Sequence, residues 1–177
     1  LEYLIFKPTW PTEWILQTIL IAWEDYRVTG NDELLKRYYN DLKAKALLPL
    51  ADDRGFISTR TGKVTPEVLQ SIHFNGTLRD IVDWPQKGIL GLGKNEEGET
   101  DGFVFQDINT VVNAYHYRAL VLMEKIAEVT GHSPDKRFFA ERAGLLKKSF
   151  NETLLDKKRG IYVDVWGTDH ASLHANM

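Results

Sequence analysis

The chain has 177 residues, 43% of them hydrophobic and 27% charged, which is enough for one domain with a real core. Its net charge of −3 gives no electrostatic case for nucleic acid or an anionic membrane surface. With no cysteine, disulfides and thiolate chemistry are excluded, and the longest apolar run, 19–23, ends at Glu24 and Asp25, far short of a membrane span. No stretch reads as a signal peptide. The chain opens on Leu1 and stops at Met177 where an apolar segment is starting, so the expectation is an interior piece of a longer protein.

In chain order, Pro8 and Pro11 bracket Trp10, and Pro11 suits the first position of a helix, where its missing N–H is no loss. The spacing predicts a helix over 11–27. Trp14, Ile15, Leu16, Ile19, Leu20, Ile21, Ala22 and Trp23 cover more than one face of it, so burial on several sides is expected. Gly30 fits the left-handed position past a helix end, and Asn31 can cap the next start. A second helix is predicted over 32–48, with Leu34, Leu35, Tyr38, Tyr39, Leu42 and Ala46 as one buried stripe among charged residues. Together the two make an αα-hairpin.

Residues 49–105 show no sustained period and are punctuated by glycine, with a short helix expected over 66–73 capped by Thr65. A connection this long inside a compact domain is usually functional. The pattern then repeats. Asp107 is placed to cap an apolar helix over 108–130, Gly131 ends it, and Ser133-Pro134 opens an amphipathic helix over 134–154. Ile161-Tyr162-Val163 reads as a short strand, and a further helix is expected from about Asp169. A buried helix, an exposed one, a long loop, then the same again is the grammar of an all-α toroid or an α-solenoid. The lack of a tight sequence repeat disfavours the solenoid.

The chemistry-bearing residues gather before or at the starts of the two buried helices and of the segment after 163. Trp10, Glu13, Trp14 and Gln17 open the first. Asp83-Trp84-Pro85-Gln86 lies in the long loop, where Pro85 disfavours helix at Trp84 and holds an acid and an indole side by side on extended backbone. Asp107-Ile108-Asn109 precedes the next buried helix, and Asp164, Trp166, Asp169 and His170 follow the strand. In a toroid those ends share one rim, so these groups could converge on one pocket. Indoles beside carboxylates suit a sugar: the ring lies on the apolar face and the acids accept hydroxyl protons. Taken singly, each is equally a cap or a core aromatic. His170 and His174 have the i, i+4 spacing of a zinc pair, but Ala171-Ser172-Leu173 between them offers no glutamate base, so packing or hydrogen bonding is expected of them. Gly91-Leu92-Gly93-Lys94 lacks the Ser or Thr of a phosphate loop. The acidic run 95–101 does not fit a calcium loop, and Ser172 has no nucleophile elbow.

Several motifs in order, Pro8-Thr9-Trp10-Pro11-Thr12-Glu13-Trp14, Gly55-Phe56-Ile57-Ser58-Thr59-Arg60, Asp83-Trp84-Pro85-Gln86 and the segment from Asp169 to Met177, resemble the bacterial α-L-rhamnosidases of glycoside hydrolase family 78. The resemblance covers essentially the whole chain. It implies part of an (α/α)6 six-hairpin catalytic barrel, here two αα-hairpins plus long loops and a short β element. It also implies hydrolysis of terminal α-L-rhamnose from a rhamnose-containing oligosaccharide or glycoside, with inversion and with no cofactor. Trp84 matches the family's pocket-lining indole, Asp83 stands beside it as a hydroxyl acceptor, and Trp10 is similar to the tryptophan before an inner helix. Glu13, Trp14, Asp107, His170 and His174 are carried over from their place on the inferred rim. The family's two catalytic glutamates belong to motifs that these 177 residues do not contain. The chain is therefore expected to supply sugar-binding residues, to need the remainder of the same barrel as its partner, and to hydrolyse nothing alone. The family implies action in the periplasm or at the cell surface, with no membrane insertion. The competing expectations are another six-hairpin sugar enzyme, or a non-catalytic helical interaction module whose tryptophans are packing residues.

Overall fold

The computed structural model describes residues 9–80 and 107–177. Strand β1 (Thr9–Pro11) pairs in parallel with β2 (Thr77–Arg79), Trp10 facing Leu78. Helix α1 (Thr12–Thr29) leaves directly from β1. Pro11 sits on extended backbone at φ −55° and ψ 134°, held in the strand pair, so the helix begins one residue later than the sequence suggests. At the far end Gly30 takes φ 69° and its N–H donates to the Tyr26 carbonyl, closing the helix as a left-handed cap. Ile15, Leu16, Ile19 and Ala22 are buried. Trp14, Ile21 and Val28 are exposed. At seven-residue spacing those three share one face, and no described element covers it.

The predicted helix over 32–48 is broken in two, α2 (Glu33–Arg37) and α3 (Tyr39–Lys45). Tyr38, at φ −109° and ψ 21°, leaves the helical region between them. The buried stripe is Leu35, Tyr39, Leu42 and Ala46, whereas Leu34 and Tyr38 face outward. Tyr39 explains the choice. Its ring stacks on His132 at 3.6 Å between centroids, and its hydroxyl donates to Asp135 at 2.9 Å, fastening this layer to the next hairpin. Asn31 Oδ1 accepts from the Glu33 N–H at the start of α2, as its position suggests. Helix α4 (Pro66–Ser71) is capped by Thr65, whose hydroxyl accepts from the Val68 N–H.

Helix α5 (Thr110–Val129) starts two residues later than expected, and its cap is Asn109, whose Oδ1 accepts from the Val112 N–H at 3.0 Å. Asp107 caps nothing; its exposed side chain lies 3.7 Å from Arg60. The reason is a bridge. Asn109 pairs antiparallel with Val165, and the Thr110 N–H donates to the Asp164 carbonyl, so this backbone stays extended until the bridge is made. Helix α6 (Ser133–Thr153) returns along α5, and a small antiparallel hairpin of β3 (Leu155–Asp156) and β4 (Ile161–Tyr162) follows. The helix expected from about Asp169 does not form: the segment is a loop ending in a single 3-10 turn, His174–Asn176. Side chains take its backbone partners instead. Asp164 Oδ1 accepts from the Ser172 N–H and Asn176 Nδ2 donates to the Ser172 carbonyl, while Asn176 also ties the segment to the N–H and carbonyl of Tyr162 in β4. The core runs along both sides of α5, which packs on α1 and on α6, and is built on Leu16, Ile19, Leu120, Met123, Ile126, Phe139 and Leu146.

Candidate functional site

The strand pair at β1 and the bridge at Asn109 put the starts of α1 and α5 at the same end of the molecule. Between them opens a cleft of about 510 Å³. Glu13, Trp14 and Gln17 of α1 form one wall, Tyr115 and Arg118 of α5 the other, and His174 of the C-terminal turn closes an end. Trp14 is half exposed and meets Trp10 edge-on at 6.4 Å, and Trp10 packs on Phe74 at 5.2 Å, so an aromatic group backs the indole. An exposed indole next to a carboxyl, an amide, a guanidinium and an imidazole combines an apolar platform with hydrogen-bonding groups of both kinds.

Glu13 is the unusual member. It is 8% exposed, its Oε2 has no hydrogen-bond partner, and burial pushes its pKa up to about 8. A hydrogen bond from its own backbone N–H pulls the other way, and the nearby Asp80 adds to the rise. Asp80 is itself buried. Its Oδ1 accepts from the Thr12 hydroxyl at 2.6 Å and its Oδ2 from the Thr59 N–H at 3.0 Å, and burial raises its pKa against those two bonds. One carboxyl thus ties the start of α1 to the loop after Phe56. Asn113, fully buried on α5, holds the same loop: its Oδ1 accepts from the Ile57 N–H at 2.8 Å and its Nδ2 donates to the Ile57 carbonyl at 3.1 Å.

Of the sequence-derived residues, Glu13, Trp14 and His174 line this one cleft and Trp10 adjoins it. Asp107 and His170 do not line it; Asp107 is at Arg60, and His170 Nδ1 is paired with the fully buried Asp164. Asp83 and Trp84 lie outside the described residues. Sequence reasoning missed Tyr115 and Arg118 as cleft residues, and also Asp80 and Asn113, which position the wall. The Asn in the second turn of a buried helix was a signal for the last, since a buried amide needs partners. No group of His, Asp and Glu suited to a metal ion occurs among the described residues, and no described helix is long and apolar enough to cross a membrane. A larger depression, about 780 Å³, lies at the opposite end of α1 among Asp25, Asn31, Glu33, Lys36, Arg37 and Tyr38, away from the helix starts.

The family profile for the bacterial alpha-L-rhamnosidase six-hairpin glycosidase domain matches residues 5–177. The chain belongs to that family. Among solved structures it is similar to the family 78 rhamnosidase of Bacillus sp. GL1, with a TM-score of 0.59 and 23% identity over 89% of this chain. That likeness shows the fold: α1 with α2 and α3, and α5 with α6, are helical hairpins of the six-hairpin glycosidase domain. The chain spans about 13% of the length of that rhamnosidase. No curated protein matches it.

Proposed function

We propose that the protein carrying this chain is an α-L-rhamnosidase-type glycoside hydrolase that removes terminal α-L-rhamnose from glycosides with inversion at the anomeric carbon. In this reading the chain supplies a sugar-binding wall: Trp14 as the platform, with Glu13 and His174 hydrogen-bonding hydroxyls. Trp10 adjoins that wall, and Asp83, Trp84, Asp107 and His170 are proposed as further sugar-binding residues of the full-length protein. Inversion needs one carboxylic acid to protonate the leaving oxygen and a second carboxylate, roughly 6.5–9.5 Å away, to activate water on the other face of the sugar. Those glutamates come from the rest of the catalytic domain, and the chemistry needs no cofactor. The enzyme acts in the periplasm or at the cell surface.

The observation that carries this reading is the cleft between the starts of α1 and α5, in a chain of a glycosidase family, with an exposed indole beside a buried carboxyl. The test is hydrolysis of an aryl α-L-rhamnoside by the full-length protein, with the first-formed anomer of rhamnose followed by NMR. Release of the inverted anomer supports the reading. Release of the retained anomer, or activity confined to another glycoside, removes it.

A further inference from the structure

Glu13 occupies the second helical position of α1, where an ionised carboxylate is ordinarily favoured by the helix dipole. Here three features act against ionisation. The side chain is more than nine-tenths buried, Oε2 meets no donor, and the second buried acid, Asp80, sits close enough to repel a charge. Titratable groups face it from every element around the cleft: Arg118 and Tyr115 from α5, His174 from the C-terminal turn, and Asp80 from the end of β2, with Arg60 acting on Asp80 from behind. None of these is hydrogen-bonded to Oε2. Glu13 nevertheless lines the cleft, and its terminal torsion is a soft one, so rotation can turn the carboxyl toward a ligand oxygen there.

We propose that Glu13 serves the cleft as a neutral carboxylic acid, donating its proton in a hydrogen bond to an oxygen of the bound sugar, so that the ligand is held only while that proton is in place. This rests on the sugar-binding reading of the cleft and adds its pH control. An ionised Glu13 could only accept, whereas the protonated acid both donates and accepts. A neutral sugar is a fitting ligand, because its hydroxyl oxygens accept a hydrogen bond without carrying a charge into the cleft. The pKa of about 8 puts the loss of binding on the alkaline side of neutrality.

The experiment measures the affinity of the full-length protein for L-rhamnose, which does not titrate in this range, by calorimetry from about pH 6.5 to about pH 9.5. Affinity is expected to fall about thirtyfold between pH 7 and pH 9.5, the factor for losing one required proton with a pKa near 8. Glu13→Gln keeps a donor at this place and cannot ionise, so its affinity is expected to stay flat over the same range. A purely structural role would lower Tm without flattening that profile. Should Glu13→Gln fail to fold, the unsubstituted protein is titrated at about pH 9 in two buffers of different ionisation enthalpy; uptake of close to one proton on binding supports the proposal. A pH-independent affinity, an unchanged slope in Glu13→Gln, or binding without proton uptake overturns it while leaving the rhamnosidase reading intact. No binding of L-rhamnose at any pH, with no rhamnoside hydrolysis, overturns both.

Discussion

Asn113→Ala removes the side chain that fastens the loop around Ile57 to α5. The amide accepts from the Ile57 N–H and donates to the Ile57 carbonyl, and both residues are fully buried. Truncation therefore leaves two backbone groups in the interior without partners and without room for bulk water. An orphaned buried group costs about 1–3 kcal/mol, so the expected loss is about 3 kcal/mol, with a smaller addition for the cavity. Asn113→Leu refills the volume but not the bonds and should lose nearly as much, which separates hydrogen bonding from packing. The assay is denaturation of the full-length protein together with hydrogen exchange at the Ile57 amide. Exchange there should accelerate, and the loosening should reach Thr59 and hence Asp80 and the start of α1. A loss below about 0.5 kcal/mol, with Ile57 still protected, would refute the claim that this amide carries the loop.

Other consequences follow from the buried and paired groups. Glu13 ionises above 4.5 when unfolded but only near 8 when folded, so the unfolded state binds fewer protons in that window and stability falls as pH rises through it. Glu13→Gln should abolish this slope and gain up to about 3 kcal/mol at pH 7, read from urea midpoints at pH 4.5 and 7. His116 has the opposite sign. It is fully buried, neither ring nitrogen has a hydrogen bond of normal geometry, and burial holds its pKa down to about 3 against a weak pull from the Ala46 backbone. The unfolded chain takes up that proton below 6.5, so stability should fall steadily from there toward pH 3, and His116→Leu should flatten this acid limb. Asp135 accepts from Tyr39 and from Lys43 Nζ at 2.7 Å, bonds that depress its pKa; Asp135→Asn should lower Tm by a few degrees, about 1 kcal/mol, by loosening α3 from α6.

The helical hairpins were legible because their signals are local. Apolar period, glycine at the helix ends and the Thr65 cap each follow from a few adjacent residues, and the structure keeps α1, α4, α5 and α6 within a residue or two of where they were expected. The misreadings share a cause. Helix α5 starts late because Asn109 bridges to Val165, a partner far along the chain, and no helix follows Asp169 because Asp164 and Asn176 take the N–H and the carbonyl of Ser172. The break at Tyr38 likewise answers to His132 and Asp135 on another hairpin. The cleft was half legible. Helix spacing placed Glu13 beside Trp14 and Gln17, but that Tyr115 and Arg118 would stand opposite depends on how α5 packs on α1. That Asp80 would lie near enough to add to the effect of burial on Glu13 depends on the pairing of β1 with β2.

The central claim is that a sugar lies against Trp14 in the cleft between the starts of α1 and α5. Its most direct measurement is calorimetric titration of L-rhamnose into the full-length protein and into Trp14→Ala, with Tm recorded for both. Trp14 is half exposed, so its removal should leave the fold in place. Loss of a platform worth about 1.4 kcal/mol or more should weaken binding at least about tenfold. Equal affinity in both proteins at equal Tm would contradict the account.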